Sequence, residues 1–340
     1  MPVTANETET TNEMPAAAAH GLRQAGRPAR LARALAGQLP EPRQPSRLTK
    51  DTPAGDVVLA YLRDQAATLT SLDPAVRRDE PDAVHQMRVA TRRLRGTLRS
   101  FRRVTGEAGH LAGELKWLGG VLGEARDAEV LAGHLQAMLA TVPAEQLIGP
   151  VQARVRVHFA PVAAQAREAV LAALESQRYF SLLDELDALL AEPPLRPRAA
   201  RPAGQVLPPE VRRSYRKTAR RMDRARRSEA GPPRDVALHE ARKAAKQARY
   251  AAEVAAPVIG RPARKFARRM KKVQSVLGEH QDAVIARQAE RALGVQAHLA
   301  GENAFTYGLL YEREAQAGQA LQARARRVWR KASRARKWLG

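Results

Sequence analysis

The segment VHQMRVATRRLRGTLR at residues 84–99 returns as LHEARKAAKQARYAAE at 238–253. Further on, KWLGGVLGEARDAEV at 116–130 returns as KKVQSVLGEHQDAVI at 271–285, so the two offsets are 154 and 155 residues. In the first motif His85 matches His239, Arg88 matches Arg242, Arg92 matches Lys246 and Arg95 matches Arg249. In the second, Lys116 matches Lys271, Gly123 matches Gly278, Glu124 matches Glu279 and Asp127 matches Asp282. Two motifs repeated in the same order at nearly one spacing define an internal duplication, and the chain must fold as one architecture built twice.

That architecture is all-α. Aromatic residues make up only 4% of the chain, so the core rests on Leu, Ala and Val, which with little Ile, Thr or Tyr favour helix over strand. Residues 1–52 lack sustained periodicity and read as a disordered tail. Helical patterning begins near 54, and Asp82 stands where an N-cap would open the next helix. A third helix is expected from about 109 to 140. A fourth region, 144–191, is expected to break near Ser176. The first half is thus 53–192. A linker at 193–207 follows, within a stretch (191–210) holding six prolines in twenty residues. The second half, 208–340, carries helical patterns at 208–229, 233–256, 261–293 and 303–337.

Charge narrows the partner. The 340 residues carry 58 Lys and Arg against 35 Asp and Glu, a formal net charge of +23, which calls for a polyanion. Arg outnumbers Lys 48 to 10, as biased codon usage would produce, but such bias does not create an excess of base over acid. The absence of cysteine excludes disulfides, thiolate nucleophiles and Cys-ligated zinc. No metal-ligand spacing, membrane-length apolar run or signal peptide is visible, so no cofactor is expected and a cytoplasmic protein is the default.

The position of the charge is more informative than its amount. Val84, Met87, Thr91, Leu94, Leu98 and Phe101 form an apolar stripe. One residue later His85, Arg88, Arg92, Arg95, Arg99 and Arg102 form a basic row, about 100° away on the helix. A solvated charged face would lie nearer 180° from the core. This row borders the core and should line a groove or channel. The second half repeats it more weakly, with His239, Arg242, Lys246 and Arg249 beside Leu238, Ala241, Ala245 and Ala248, and ends it at Glu253. On the third helix of each half, Lys116, Gly120, Gly123 and Asp127, and likewise Lys271, Ser275, Gly278 and Asp282, share one face. The small residues would leave room for long Arg side chains or for a ligand.

In an antiparallel hairpin, residues equidistant from the turn lie opposite one another. The pair 85 and 127 is centred on Gly106, and the pair 239 and 282 near Gly260, each a glycine where a turn is needed. Asp127 is therefore expected near His85 and Arg88, and Asp282 near His239 and Arg242, where a carboxylate can orient an imidazole or guanidinium. The helix at 83–103 holds no Asp or Glu, so a ladder of surface ion pairs within it is excluded. An extended phosphate chain fits a row that advances about 10 Å per heptad.

The segments VHQMRVATRRLRGTLRSF, LGEARDAEVL, LHEARKAAKQARYAAE and VLGEHQDAV resemble the CHAD family of conserved-histidine α-helical domains, over about residues 54–337. The resemblance implies two pseudo-symmetric four-helix bundles around a basic central groove or pore, and binding of inorganic polyphosphate without chemistry. It carries the ligand-binding role onto His85, Arg88, Arg92, Arg93 and Arg95, and onto His239, Arg242, Lys243, Lys246 and Arg249. The basic row adds Arg99, and the third helices add Lys116 and Lys271. Two departures, Gln247 opposite Arg93 and Glu253 at the end of the second row, point to halves that bind unequally. Targeting to polyphosphate granules is the role this reading implies.

Two other functions fit parts of the pattern. A nucleic-acid-binding protein would suit the charge, but the row borders the core and lacks aromatic interleaving for stacking. The basic segment RARRVWRKASRARKWLG could still touch nucleic acid or an acidic membrane surface. A phosphoryl-transfer enzyme using His85 or His239 would need a positioned metal or nucleophile, and Glu124, Asp127, Glu279 and Asp282 are dispersed over two halves.

Overall fold

A computed structural model describes residues 48–334. Most of the expected tail and the last six residues lie outside that range. Within it the first half contains α1 (Ala54–Ser71), α2 (Asp73–Arg77), α3 (Ala83–Ser100), α4 (Arg102–Thr105), α5 (Leu111–Leu139), α6 (Val151–Glu175) and α7 (Gln177–Ala191). The second contains α8 (Ala203–Arg227), α9 (Pro232–Ile259), α10 (Arg261–Leu299) and α11 (Phe305–Ser333). Among the described residues there is no strand, only an isolated bridge between Pro53 and Pro202.

That bridge relates the two halves. The N–H of Ala54 donates to the carbonyl of Arg201 (2.9 Å), and that of Ala203 to Thr52 (2.8 Å). Both bonds exchange under an offset of 149 residues, so α1 and α8 start as counterparts. Gly204 adds a bond to the Lys50 carbonyl (2.8 Å), which ties residues 48–52 to the second half. These anchors start α8 five residues before its sequence pattern indicates, and Pro208 and Pro209 fall inside it. Proline propensity is overridden by backbone pairing at the helix start.

The turn glycines meet their geometric demand. Gly106 (φ +75°) and Gly260 (φ +73°) sit in the left-handed region between α3–α4 and α5, and between α9 and α10. A Cβ at Gly106 would also stand 2.5 Å from the Pro194 carbonyl oxygen. The break near Ser176 occurs at that residue, whose hydroxyl accepts from the Tyr179 N–H and caps α7. Asp82 behaves otherwise. It occupies the N-cap position of α3, but its backbone is left-handed (φ 62°) where a capping residue is extended, and its side chain makes no cap bond.

Packing joins the halves. The larger core cluster combines Leu62, Met87, Leu94 and Leu118 of the first half with Ala241, Ala245, Ala248 and Phe266 of the second. A smaller one joins Leu135 and Leu139 of α5 and Phe159 of α6 to Leu293 of α10 and Leu310 of α11. Beside it lies a buried acid pair. Glu290 is 0% exposed with neither carboxylate oxygen hydrogen-bonded, while Glu314 accepts from His134 at 2.6 Å.

Burial, and then the neighbouring Glu314 charge, push the Glu290 carboxyl up to about 7. A carboxyl raised in the folded state stabilises the fold below its unfolded value, and that stability is lost as pH rises through about 7. Glu290→Gln is expected to match wild type near pH 5 and to exceed it by about 1–3 kcal/mol at pH 8. Denaturant melts at both pH values check this; parallel profiles would contradict it.

Candidate functional site

The site forms where α3 packs against α9. Equivalent positions meet there: the ring of Tyr250 lies against Gly96, whose Cβ would approach it to 3.0 Å. The glycine lets the helices close over the aromatic ring. On α9, Ala241, Ala245, Ala248 and Ala251 are at 0% exposure, within the core cluster that both halves share. Close approach of the backbones brings the two basic rows together.

Arg88, Arg92, Arg242 and Lys246 come from matched positions of the repeat and lie within electrostatic reach of one another. All four are half-buried. Arg88 grips Asp127 of α5 in a two-pronged pair, Nη1 to Oδ1 at 2.8 Å and Nη2 to Oδ2 at 3.1 Å. Its guanidinium rests on Gly123, where a Cβ would meet Nη2 at 3.0 Å. Arg242 rests in the same way on Gly278, 3.4 Å from Nε to the built Cβ position. The glycines of the third helices are seats for arginine; by contrast Gly120 faces open space.

The electrostatics are unfavourable to the cations. Burial, then the charges of Arg92, Arg242, Arg88 and Arg249, bring the Lys246 ammonium down to about 7. Arg92 is pushed down by burial and by the charges of Arg88 and Arg242. The imidazoles of His85 and His239 are held below the usual histidine value, first by burial. Asp282 is raised by burial, against the pull of Arg242, so its charge is a weak counterweight. Several polar atoms are buried without a hydrogen-bond partner: the Nε–H donors of Arg88, Arg92, Arg242 and Arg249, and the ring nitrogen Nδ1 of His85 and His239. Such donors cost desolvation unless an acceptor meets them.

Other basic residues are placed differently. Arg93 is drawn to Glu253 (3.4 Å), which also pairs with Arg249 (3.4 Å) and accepts from the Tyr61 hydroxyl (3.4 Å). Lys243 pairs with Glu240 at 2.8 Å. Arg95 is half-buried beside the exposed Arg99, toward α8. Lys116 and Lys271 are exposed on α5 and α10. His85 makes no hydrogen bond to Asp127 among the described residues; the carboxylate acting on it is Asp82. His239 bonds to Gln281, one residue short of Asp282. Glu279 pairs with Arg324 at 2.8 Å, and Glu124 is exposed.

Tyr250, Arg126 and Lys217 escaped the sequence reading. Tyr250 sits under Arg249 (4.7 Å from Cζ to the ring centroid), Arg126 acts on His85, and Lys217 of α8 approaches Arg99. Tyr250 could have been found by pairing it with Gly96 across the repeat. Among the described residues no group of three or more His, Asp or Glu side chains is placed to hold a metal, and no helix is long and apolar enough to cross a membrane.

A family model, the CHAD domain, matches residues 60–291. Two proteins of Mycobacterium tuberculosis (strains CDC 1551 / Oshkosh and ATCC 25618 / H37Rv), each described as uncharacterized, are 37% identical over 305 residues. The match covers 87% of this chain and 56% of theirs, so the chain spans little more than half the length of those relatives. Among solved structures, the CHAD domain of the plant Ricinus communis superposes with a TM-score of 0.61 at 25% identity, over 89% of this chain and 97% of that one. PptA from Streptomyces chartreusis superposes with a TM-score of 0.67 at 22% identity, over 82% of this chain and all of the other, a likeness of fold.

If the clustered cations oppose folding, neutralising them should not harm the empty protein. Arg92→Gln with Lys246→Gln keeps helix propensity and is expected to leave the thermal midpoint unchanged or raise it by a few degrees. Asp127→Asn should lower it, by about 1 kcal/mol or less because the carboxylate is 68% exposed. Thermal melts of the three proteins check both; a double variant melting well below wild type would make the cations structural.

Proposed function

Because the chain belongs to the CHAD-domain family, we propose that it binds inorganic polyphosphate in a groove between α3 and α9, gripping the chain with the arginines, lysines and histidines of both rows. The observation that carries this reading is the convergence of Arg88, Arg92, Arg242 and Lys246 with buried donors unmet. A phosphate chain supplies what the cluster lacks: closely spaced charge and three-sided acceptors for guanidinium forks. The α5 carboxylate Asp127 orients Arg88 and leaves its other donors for the ligand; Asp282 of α10 acts on Arg242 without bonding to it.

In this reading the two halves form two four-helix bundles around the groove. The protein performs no chemistry of its own. His85 and His239 serve as donors at the mouth, and binding places the protein on polyphosphate granules. Gln247 and Glu253 stand where the first half carries Arg93 and Arg99, so the second half grips less strongly than the first.

Long-chain polyphosphate is expected to bind with log K falling steeply against log salt, with a slope near −3 if four phosphates are neutralised. Orthophosphate should bind weakly and duplex DNA much less tightly than polyphosphate at equal salt. Competition of labelled polyphosphate against DNA, RNA and heparin tests this; equal affinity for duplex DNA would favour a nucleic-acid role.

Binding should also take up a proton. Lys246 is mostly neutral above about 7 in the empty protein, and a bound polyanion raises it toward its ordinary value. At pH 8 calorimetry in buffers of differing ionisation enthalpy should show uptake approaching one proton, lost in Lys246→Gln. At pH 6 the Lys246 share should nearly vanish, and uptake that remains there belongs to His85 and His239. Affinity accordingly falls as pH rises above 7. Buffer-independent heats at pH 8 would contradict the placement of the chain against Lys246.

A further inference from the structure

We infer that α8 and the distal part of α3 form a second phosphate-binding patch, built from Arg95, Arg99, Lys217, Arg220 and Arg221, which takes the chain as it leaves the central cluster on one side only. The inference rests on the polyphosphate reading above and gives it a direction.

Arg99 is the joint. It follows Arg88, Arg92 and Arg95 on one face of α3, at spacings of four, three and four residues, and it acts on both Arg95 and Lys217. Lys217 is half-buried and is held below the usual lysine value by burial first, then by Arg99, Arg221 and Arg220. The carboxylate that relieves it is Glu240. That acid is already shared, with Lys243 at 2.8 Å and Arg221 at 3.9 Å. Arg99 and Arg220 are exposed and appear in no ion pair among the described residues. Beyond Arg99 the row continues into α4, where Arg102 and Arg103 line an open cleft with Arg196 and Arg198.

The repeat has no copy of this patch. Under the offset of 149 residues fixed by the paired helix starts, Lys217, Arg220 and Arg221 correspond to Thr68, Ser71 and Leu72 of the first half. Under the 154-residue offset of the first motif, Arg99 corresponds to Glu253 and Arg95 to Arg249, which is tied to that glutamate. Cationic residues thus extend outward along α3 toward α8, while the matching path along α9 ends in an acid. A chain long enough to reach from the centre to α8 gains a second contact at high effective concentration; a short one cannot.

The test compares tripolyphosphate with long-chain polyphosphate on wild type and on Lys217→Gln/Arg221→Gln, at two salt concentrations. The expected result is unchanged affinity for tripolyphosphate and at least a tenfold loss for the long chain, with its salt slope reduced by one to two. Unchanged long-chain affinity would overturn the patch. So would a proportional loss for both ligands, which would make these residues part of the central cluster. If wild type binds neither ligand, the polyphosphate reading itself fails, and that outcome is distinct from both.

Discussion

The structure depends on a repulsion. Four cations from matched places in two repeats are held together at the packing of α3 on α9, against their own electrostatics. At an effective dielectric near 20, two unit charges about 7 Å apart repel by roughly 2 kcal/mol, and nothing within the cluster fully offsets this. Asp127 answers Arg88, but Asp282 is itself pushed toward its neutral form. What holds the arrangement is apolar: the buried alanines of α9, Gly96 against Tyr250, and a core cluster drawn from both halves.

The symmetry is closer at the centre than at the edges. Arg88 and Arg242 rest on Gly123 and Gly278, and Arg92 and Lys246 are both pushed down by burial and neighbouring charge, though only Arg88 is paired with the carboxylate of its third helix. Outside them, Arg93 has become Gln247, Arg99 has become Glu253, and Thr68 stands where α8 carries Lys217. Gln247 donates to Ser100 at 3.3 Å across the same contact that Arg93 makes with Glu253. One half has kept its outward charge and the other has converted it into internal ion pairs. A duplicated fold thereby acquires a direction that its repeat alone would not have.

Much of this was legible in the sequence because it follows from periodicity. The all-helical class, the break at Ser176 and the hairpin turns at Gly106 and Gly260 come from spacing and glycine placement, which act locally. Counting outward from Gly106 sets Asp127 opposite His85, and the carboxylate is found one turn along, on Arg88. What the sequence did not reveal depends on contacts between distant segments. The start of α8 is set by Thr52 and Lys50, so Pro208 and Pro209 misplaced it. Asp82 had the right identity for a cap, but its left-handed backbone does not have the extended geometry a cap needs. Glu253 marked the end of a row in sequence, yet its partner Arg93 lies on the other half. Lys217 belongs to a helix whose arginines looked like ordinary surface charge until α3 was packed beside them.

The most direct test of the central claim is to watch the buried arginine donors themselves. In a spectrum of arginine Nε–H groups, titration with long-chain polyphosphate should shift Arg88, Arg92 and Arg242 and slow their exchange with water, while surface arginines such as Arg224 move little. Movement of the exposed arginines with those three left unchanged would show that the anion binds the outer surface, and that the clustered charge serves some other purpose.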